Sequence, residues 1–272
     1  MSVGWISVIA VGIAGVASMR AAIDQGDLDE AARQGALAGP AVIEQALVAK
    51  DRPTRLAAIL AAPLADGGFD LLEALSQVAI DPDRRVAIPA ARAARAIAYE
   101  LSRHDIPDDI AVADLAQTRD IWVAIAIDRE RPITLRVLAL ETAAAIDRLV
   151  SSGIGVALPA ALADPDPAFR RAAIAAVPMP VPAGLRPALA SAVAKDSEPA
   201  VALAAAATLC TDLVVDPAKP ILDALGSEGR ARLRSLVTIV DGPRITMRDA
   251  ARCLTADKTP ESAAALRKMR VR

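Results

Sequence analysis

Aromatic side chains are nearly missing from this chain of 272 residues: Trp5, Phe69, Tyr99, Trp122 and Phe169 make up 2% of it, although 54% is apolar. That scarcity argues against a sheet protein, whose strands draw on aromatic and β-branched residues. It also leaves few rings on which nucleic-acid bases could stack. Histidine is scarcer still, with His104 alone in the segment LSRHDIPDD. A Ser–His–Asp enzyme would have to be built on it, but Ser102 and Asp105 are only sequence neighbours, and side chains one or two positions apart on a helix do not converge. His104 therefore reads as a polar residue at a helix end. No Cys/His cluster has zinc spacing, and no calcium loop, Walker loop or dinucleotide fingerprint occurs; Gly12 and Gly15 belong to an apolar run. Neither catalysis nor a cofactor or metal is expected.

What is present is alanine, leucine, valine and isoleucine. Alanine is the best helix former and lets helix axes approach closely, so the composition predicts an all-α protein of helices packed on helices. Net charge is -2, which excludes a generally basic nucleic-acid coat. The charge is uneven, however: residues 226–272 carry 11 Lys/Arg against 5 Asp/Glu. This basic end reads as a helical cap, while also suiting an acidic partner or a membrane surface. Cys210 and Cys253 lie in apolar helical patterns (ATLC and AARCL) and are expected as buried thiols rather than a bridge.

Residues 3–19 contain no charge at all. Three readings compete for them. The small residues Gly15, Val16, Ala17 and Ser18 could form a signal-peptide cleavage site, although no Lys or Arg precedes the apolar run. Seventeen apolar residues are also near the lower limit for a membrane anchor. The third reading is a first helix buried by its neighbours. Together these favour a cell-envelope location, periplasmic or membrane-anchored, over the cytoplasm.

Turn chemistry recurs along the chain. Asp27-Leu-Asp-Glu30 and Asp70-Leu-Leu-Glu73 have the spacing of capping boxes, and Thr259-Pro260 puts proline at a first helical position. The segments Asp81-PDRR-Val86, Asp164-PDPA-Phe169 and Asp196-SEPA-Val201 share an aspartate, four turn-like residues and an apolar residue opening an alanine-rich helix. Weaker copies begin at Arg52-Pro53 and Arg131-Pro132. Markers placed at 53, 84, 132, 167 and 199 are separated by 31, 48, 35 and 32 residues, the period of a stacked helical repeat. The long interval predicts an irregular unit or an extra helix around residues 107–127.

These turns resemble the HEAT repeat family, whose units read D-x-x-x-x-V-R-x-x-A-x-x-A-L. Asp164–Val177 matches best, with Phe169 at the valine position and Arg170 at the arginine; Asp81–Ile97 and Asp196–Leu209 carry Ala87 and Ala202 where arginine is usual. The resemblance covers residues 25–225 and implies a HEAT-like α-α superhelix, a solenoid of antiparallel helix pairs. It implies a protein-binding scaffold, although some relatives act on alkylated DNA or on bilin pigments. The expected organisation is an apolar segment over 1–22, repeats over 23–225 and a basic helical cap over 226–272.

One constellation stands out. On a helical wheel of residues 84–103, Arg84, Arg85, Arg92, Arg95, Tyr99 and Arg103 fall within about 100° of arc, opposite Val86, Ala90, Ala93, Ala94, Ile97, Ala98 and Leu101. Guanidinium forks suit carboxylate or phosphate, so this basic stripe is a candidate surface for an acidic protein partner or a nucleic-acid backbone. The alternatives are an ordinary solvated face, with the arginine stems shielding the alanine backbone, and a partner held on the concave surface of the solenoid. Two features count against a continuous stripe: Pro89 should kink or restart the helix, and Ile88 falls inside the basic arc. A nucleic-acid-binding or base-repair solenoid is the runner-up, disfavoured by the net charge. A membrane-associated envelope subunit, held through residues 3–19, is the third reading. Oligomeric state is not legible.

Overall fold

The computed structural model describes residues 15–101, 112–150, 153–211, 218–239 and 243–270. The described residues form α-helices and short 3-10 turns without a strand. The all-α expectation holds. The chain divides into two compact units, Met1–Ile154 and Gly155–Arg272.

In the first unit a helix over residues 15–24 (α1) precedes α2 (Leu28–Ala38), α3 (Pro40–Leu47), α4 (Arg52–Ala61), α5 (Leu71–Ala79), α6 (Arg84–Leu101), α7 (Val112–Ile127) and α8 (Ile133–Val150). Consecutive helices pair as α3 with α4, α5 with α6 and α7 with α8. Alternate helices then stack on one another: α2, α4, α6 and α8 form one layer, and α3, α5 and α7 the other. The second unit repeats the scheme with α9 (Leu158–Leu162), α10 (Pro167–Ala175), α11 (Arg186–Lys195), α12 (Pro199–Thr211), α13 (Ala218–Ile239), α14 (Arg244–Asp257) and α15 (Pro260–Arg270). Here α10, α12 and α14 stack in one layer, and α9, α11, α13 and α15 in the other. At Gly226, where φ is +60°, α13 is broken in two. That left-handed conformation costs glycine nothing and would strain any other residue.

Small side chains permit the stacking. The core of α6 is Val86, Ala87, Ala90, Ala91, Ala93, Ala94, Ile97, Ala98 and Leu101, and that of α12 includes Val201, Ala202, Ala205 and Ala206. Larger fillers are few: Trp122 on α7 and Phe169 on α10 are 0% and 1% exposed. In α1, Met19 is buried, and a Cβ added at Gly35 of α2 would lie 3.1 Å from its sulfur. Gly15 is flush against Ala38, at 2.3 Å from an added Cβ. Residues 15–19 of the apolar N-terminal segment are therefore part of a packed helix, while residues 3–14 lie outside the described residues. Among the described residues no helix is long and apolar enough to cross a membrane.

Several local expectations meet a different outcome. Asp27 caps α2, accepting from the Glu30 amide at 2.9 Å, but Asp70 makes no side-chain cap hydrogen bond to α5. It ends the 3-10 turn Gly68–Asp70 with helical φ and ψ, so its carboxylate cannot fold back on the following amides. Pro89 neither ends nor restarts α6, which runs unbroken from Arg84 to Leu101. The carbonyl that Pro89 leaves without an amide donor belongs to Arg85, an exposed residue, so water can take its place. In the long interval between markers the described residues hold α6 and then α7, the long partner of α8, without an additional helix; residues 102–111 lie outside them.

The cysteines are not free thiols. Cys210 of α12 and Cys253 of α14 form a disulfide, with Cα atoms 5.3 Å apart. Forty-three residues separate them, and only folding brings the two helices into one layer. Nothing in either local pattern distinguishes a bridge from two buried hydrophobes.

Candidate interaction surface

The arginines of α6 sit between turns that are chemically alike. Asp81 Oδ1 accepts from the Asp83 amide at 2.7 Å, and Asp83 Oδ1 accepts from the Arg85 amide at 2.9 Å, capping α6. Asp164 and Asp166 repeat this at the start of α10, at 3.0 and 2.8 Å. Asp196 accepts from the Glu198 amide at 2.9 Å before α12, and Asp128 from the Glu130 amide at 3.0 Å before α8. Each aspartate tightens its own turn.

The same carboxylates reach arginines of a neighbouring helix pair. Asp81 accepts from Arg55 of α4. Asp196 takes both Nε and Nη2 of Arg170 of α10, at 2.7 and 2.8 Å, with its side chain 6% exposed. Arg131 reaches back to the Ile80 carbonyl at 3.1 Å. At the C-terminal end Asp257 gathers Arg230 of α13 at 3.0 Å and the hydroxyls of Thr259 and Ser262 at 2.8 and 2.7 Å. Burial alone would raise the Asp257 carboxyl; the two hydroxyls and the Arg230 guanidinium outweigh it and hold it below the usual carboxylate range.

Against this frame the basic stripe resolves into individuals. Arg84, Arg85, Arg92 and Arg95 are exposed, Tyr99 is half-buried, and Arg103 lies outside the described residues, as does His104. The apolar arc opposite is buried throughout, as the wheel predicts. Arg95 is engaged: its Nη1 donates to Glu141 of α8 at 2.7 Å, and its Cζ lies 5.9 Å from the Tyr99 ring centroid. Arg148, near the end of α8, lies 5.6 Å from the same ring. Tyr99 is thus the meeting point of two guanidiniums, within cation–π distance of both. Sequence reasoning missed Arg148 and Glu141, because the wheel treats one helix at a time and the α6–α8 contact joins residues 49 apart.

Beside the stripe, an open cleft of about 290 Å³ separates the turn before α6 from the turn before α8. Arg84 and Ile88 line it together with Glu130 and Arg131, so Ile88 interrupts the basic arc at the cleft rather than within the patch around Tyr99. Elsewhere in this unit, Arg119 and Asp147 form a buried pair at 3.1 Å; Asp147 also accepts from the Ile154 amide at 3.2 Å. Gly153 packs against the Arg119 guanidinium, 2.1 Å from an added Cβ. Arg119 also donates through Nε and Nη2 to the exposed Asp120 at 3.0 and 2.8 Å, and the cluster pins the chain after α8 to α7. Among the described residues no group of three His, Cys, Asp or Glu side chains is arranged to hold a metal.

No protein-family model matches the chain, and no curated protein matches it. Its backbone is similar to the crystal structure of an engineered protein from the Northeast Structural Genomics Consortium, with a TM-score of 0.54 and 20% sequence identity over 99% of this chain and 69% of that one. At that identity the likeness is one of fold alone. It agrees with the class that the packing defines, an all-α protein of stacked helix pairs.

Proposed function

We propose that the chain is a HEAT-like α-solenoid acting as a non-catalytic scaffold for a protein partner. One observation carries the reading: the same aspartate turn opens α6, α8, α10 and α12, and arginines tie such turns to adjoining pairs at Arg55–Asp81 and Arg170–Asp196. Side chains that serve the stacking in this way leave the open helix layers as the surface on which a partner would be held. Crosslinking in cells followed by affinity purification of the full chain should give a complex of defined stoichiometry. A chain that stays uncomplexed under those conditions removes the scaffold reading.

The disulfide bears on location. Such bonds persist in oxidising compartments, and the apolar residues 3–19 supply a route of export, so the envelope is the proposed site. The close packing of Gly15 on Ala38 favours a segment retained from residue 15 onward over one cut after Ala17. Fractionation with N-terminal sequencing of the native protein tests both points. A soluble cytoplasmic protein with two free thiols would refute the envelope reading, and a new terminus at Ser18 would refute retention.

A further inference from the structure

We infer that the α6–α8 face formed by Arg85, Arg92, Arg95, Tyr99 and Arg148 binds an extended acidic peptide segment of a partner protein. The inference rests on the scaffold reading and adds the place and chemistry of recognition. It begins with a charge imbalance inside the first unit. Residues 1–154 carry 15 basic side chains against 21 acidic ones, yet α4 and α6 together carry six arginines and a single acid, Glu100. Positive charge is concentrated on one helix layer of an acidic body.

Part of that charge has a structural use. Arg52 and Arg55 pair with Asp83 and Asp81 at the turn before α6. Arg85 and Arg92 have no side-chain partner among the described residues, and both are exposed. Arg148 is exposed as well and lies 5.6 Å from the Tyr99 ring centroid. Arg95 is half engaged: its Nη1 donates to Glu141, and its other N–H groups are left to donate to a ligand.

The spacing suits an extended chain. Arg85 and Arg92 are seven residues apart on one helix face, a rise of about 10 Å. Three residues of extended peptide also span about 10 Å, so carboxylates at every third position fall opposite successive guanidiniums. Each fork can hold a carboxylate through paired N–H donors. The Tyr99 ring restrains Arg95 and Arg148 before any ligand arrives, which lowers the ordering cost of binding.

A nucleic acid fits less well. The ring that might stack on a base already contacts two guanidiniums, and an acidic body repels a long polyanion beyond the patch. A short acidic segment meets only the local field.

Fluorescence anisotropy with the full chain provides the test. The probes are a labelled peptide with glutamate at every third position, its glutamine counterpart and a single-stranded oligodeoxynucleotide. The glutamate peptide should bind, more weakly as salt rises, and the glutamine peptide should not. Arg92→Glu/Arg148→Glu should weaken that binding at least about tenfold, the scale of one lost charge-assisted contact. Arg171→Glu/Arg267→Glu makes the same charge change on exposed residues of the other unit and should leave binding unaltered. Matching thermal melts would establish that both variants fold. Equal binding by the two variants, no binding by the parent chain, or an oligonucleotide bound as tightly as the peptide would each overturn the proposal. So would a self-association of the parent chain that the α6–α8 reversal abolishes. A crosslinked partner held equally well by the α6–α8 variant would overturn this surface while leaving the scaffold intact.

Discussion

Asp196 illustrates what a single side chain does in these turns. It accepts from the Glu198 amide and takes a two-point contact from Arg170. Because both partners are largely buried, Arg170→Ala strands a desolvated carboxylate, and a loss of about 3–5 kcal/mol is expected in chemical denaturation. Arg52→Ala, which breaks a 3.7 Å pair between half-exposed side chains, should cost less than about 1 kcal/mol. Equal losses in the two variants would mean that burial is not what distinguishes the pairs. Phe169 is the large filler of α10 in a core otherwise rich in alanine, so its neighbours have little side chain with which to close a gap. Phe169→Ala should lower stability by about 3–5 kcal/mol, read from the shift of the denaturation midpoint.

At the scale of elements, the five sequence markers at 53, 84, 132, 167 and 199 lie at or beside the first residues of α4, α6, α8, α10 and α12. These helix starts were legible because aspartate and proline encode a turn locally, through amides within four residues. The start of α14 was not: no marker falls there, although Asp241 stands two residues before Pro243, and the N-cap Pro243 has no side-chain hydrogen bond to offer; residues 240–242 lie outside the described residues. The arginine–aspartate links, the Tyr99 cluster and the disulfide were also illegible, since each joins helices whose adjacency is a product of folding. Of the candidate surface, the sequence disclosed the helix face of α6 and nothing of what α8 contributes to it. The disulfide has a measurable weight. Closing a loop of 43 residues removes chain entropy worth about 4 kcal/mol from the unfolded second unit. Denaturation with and without reductant, or of Cys210→Ala/Cys253→Ala, should show a loss of that order confined to the second unit. A change under about 1 kcal/mol would indicate that the open chain keeps α12 and α14 together unaided.

For the molecule as a whole, acid should be the destabilising direction. Hydrogen bonds from Thr54 lower the Asp51 carboxyl, the Glu130 amide and Arg131 lower Asp128, and Asp257 is held low at the C-terminal hub. A carboxyl depressed in the folded state binds its proton more readily once unfolded. Its contribution is therefore complete above the unfolded value of about 4 and is lost as pH falls through the lower folded value. Stability should be nearly level from neutrality down to about pH 5 and decline below pH 4. In Asp257→Asn the acid decline should be shallower, because one group responsible for it is gone. A decline of unchanged steepness would assign the acid sensitivity to other carboxylates.

The bridge between α12 and α14 also sets how the chain would answer a pull. Force on the C-terminus first peels α15 and the end of α14, then arrives at Cys253. From there tension passes through sulfur to Cys210, and the 43 residues between them carry none of it. About 150 Å of contour length, at roughly 3.6 Å per residue, is withheld from extension. In an optical trap the oxidised chain should reach full stretch short by that length, and adding reductant should restore it.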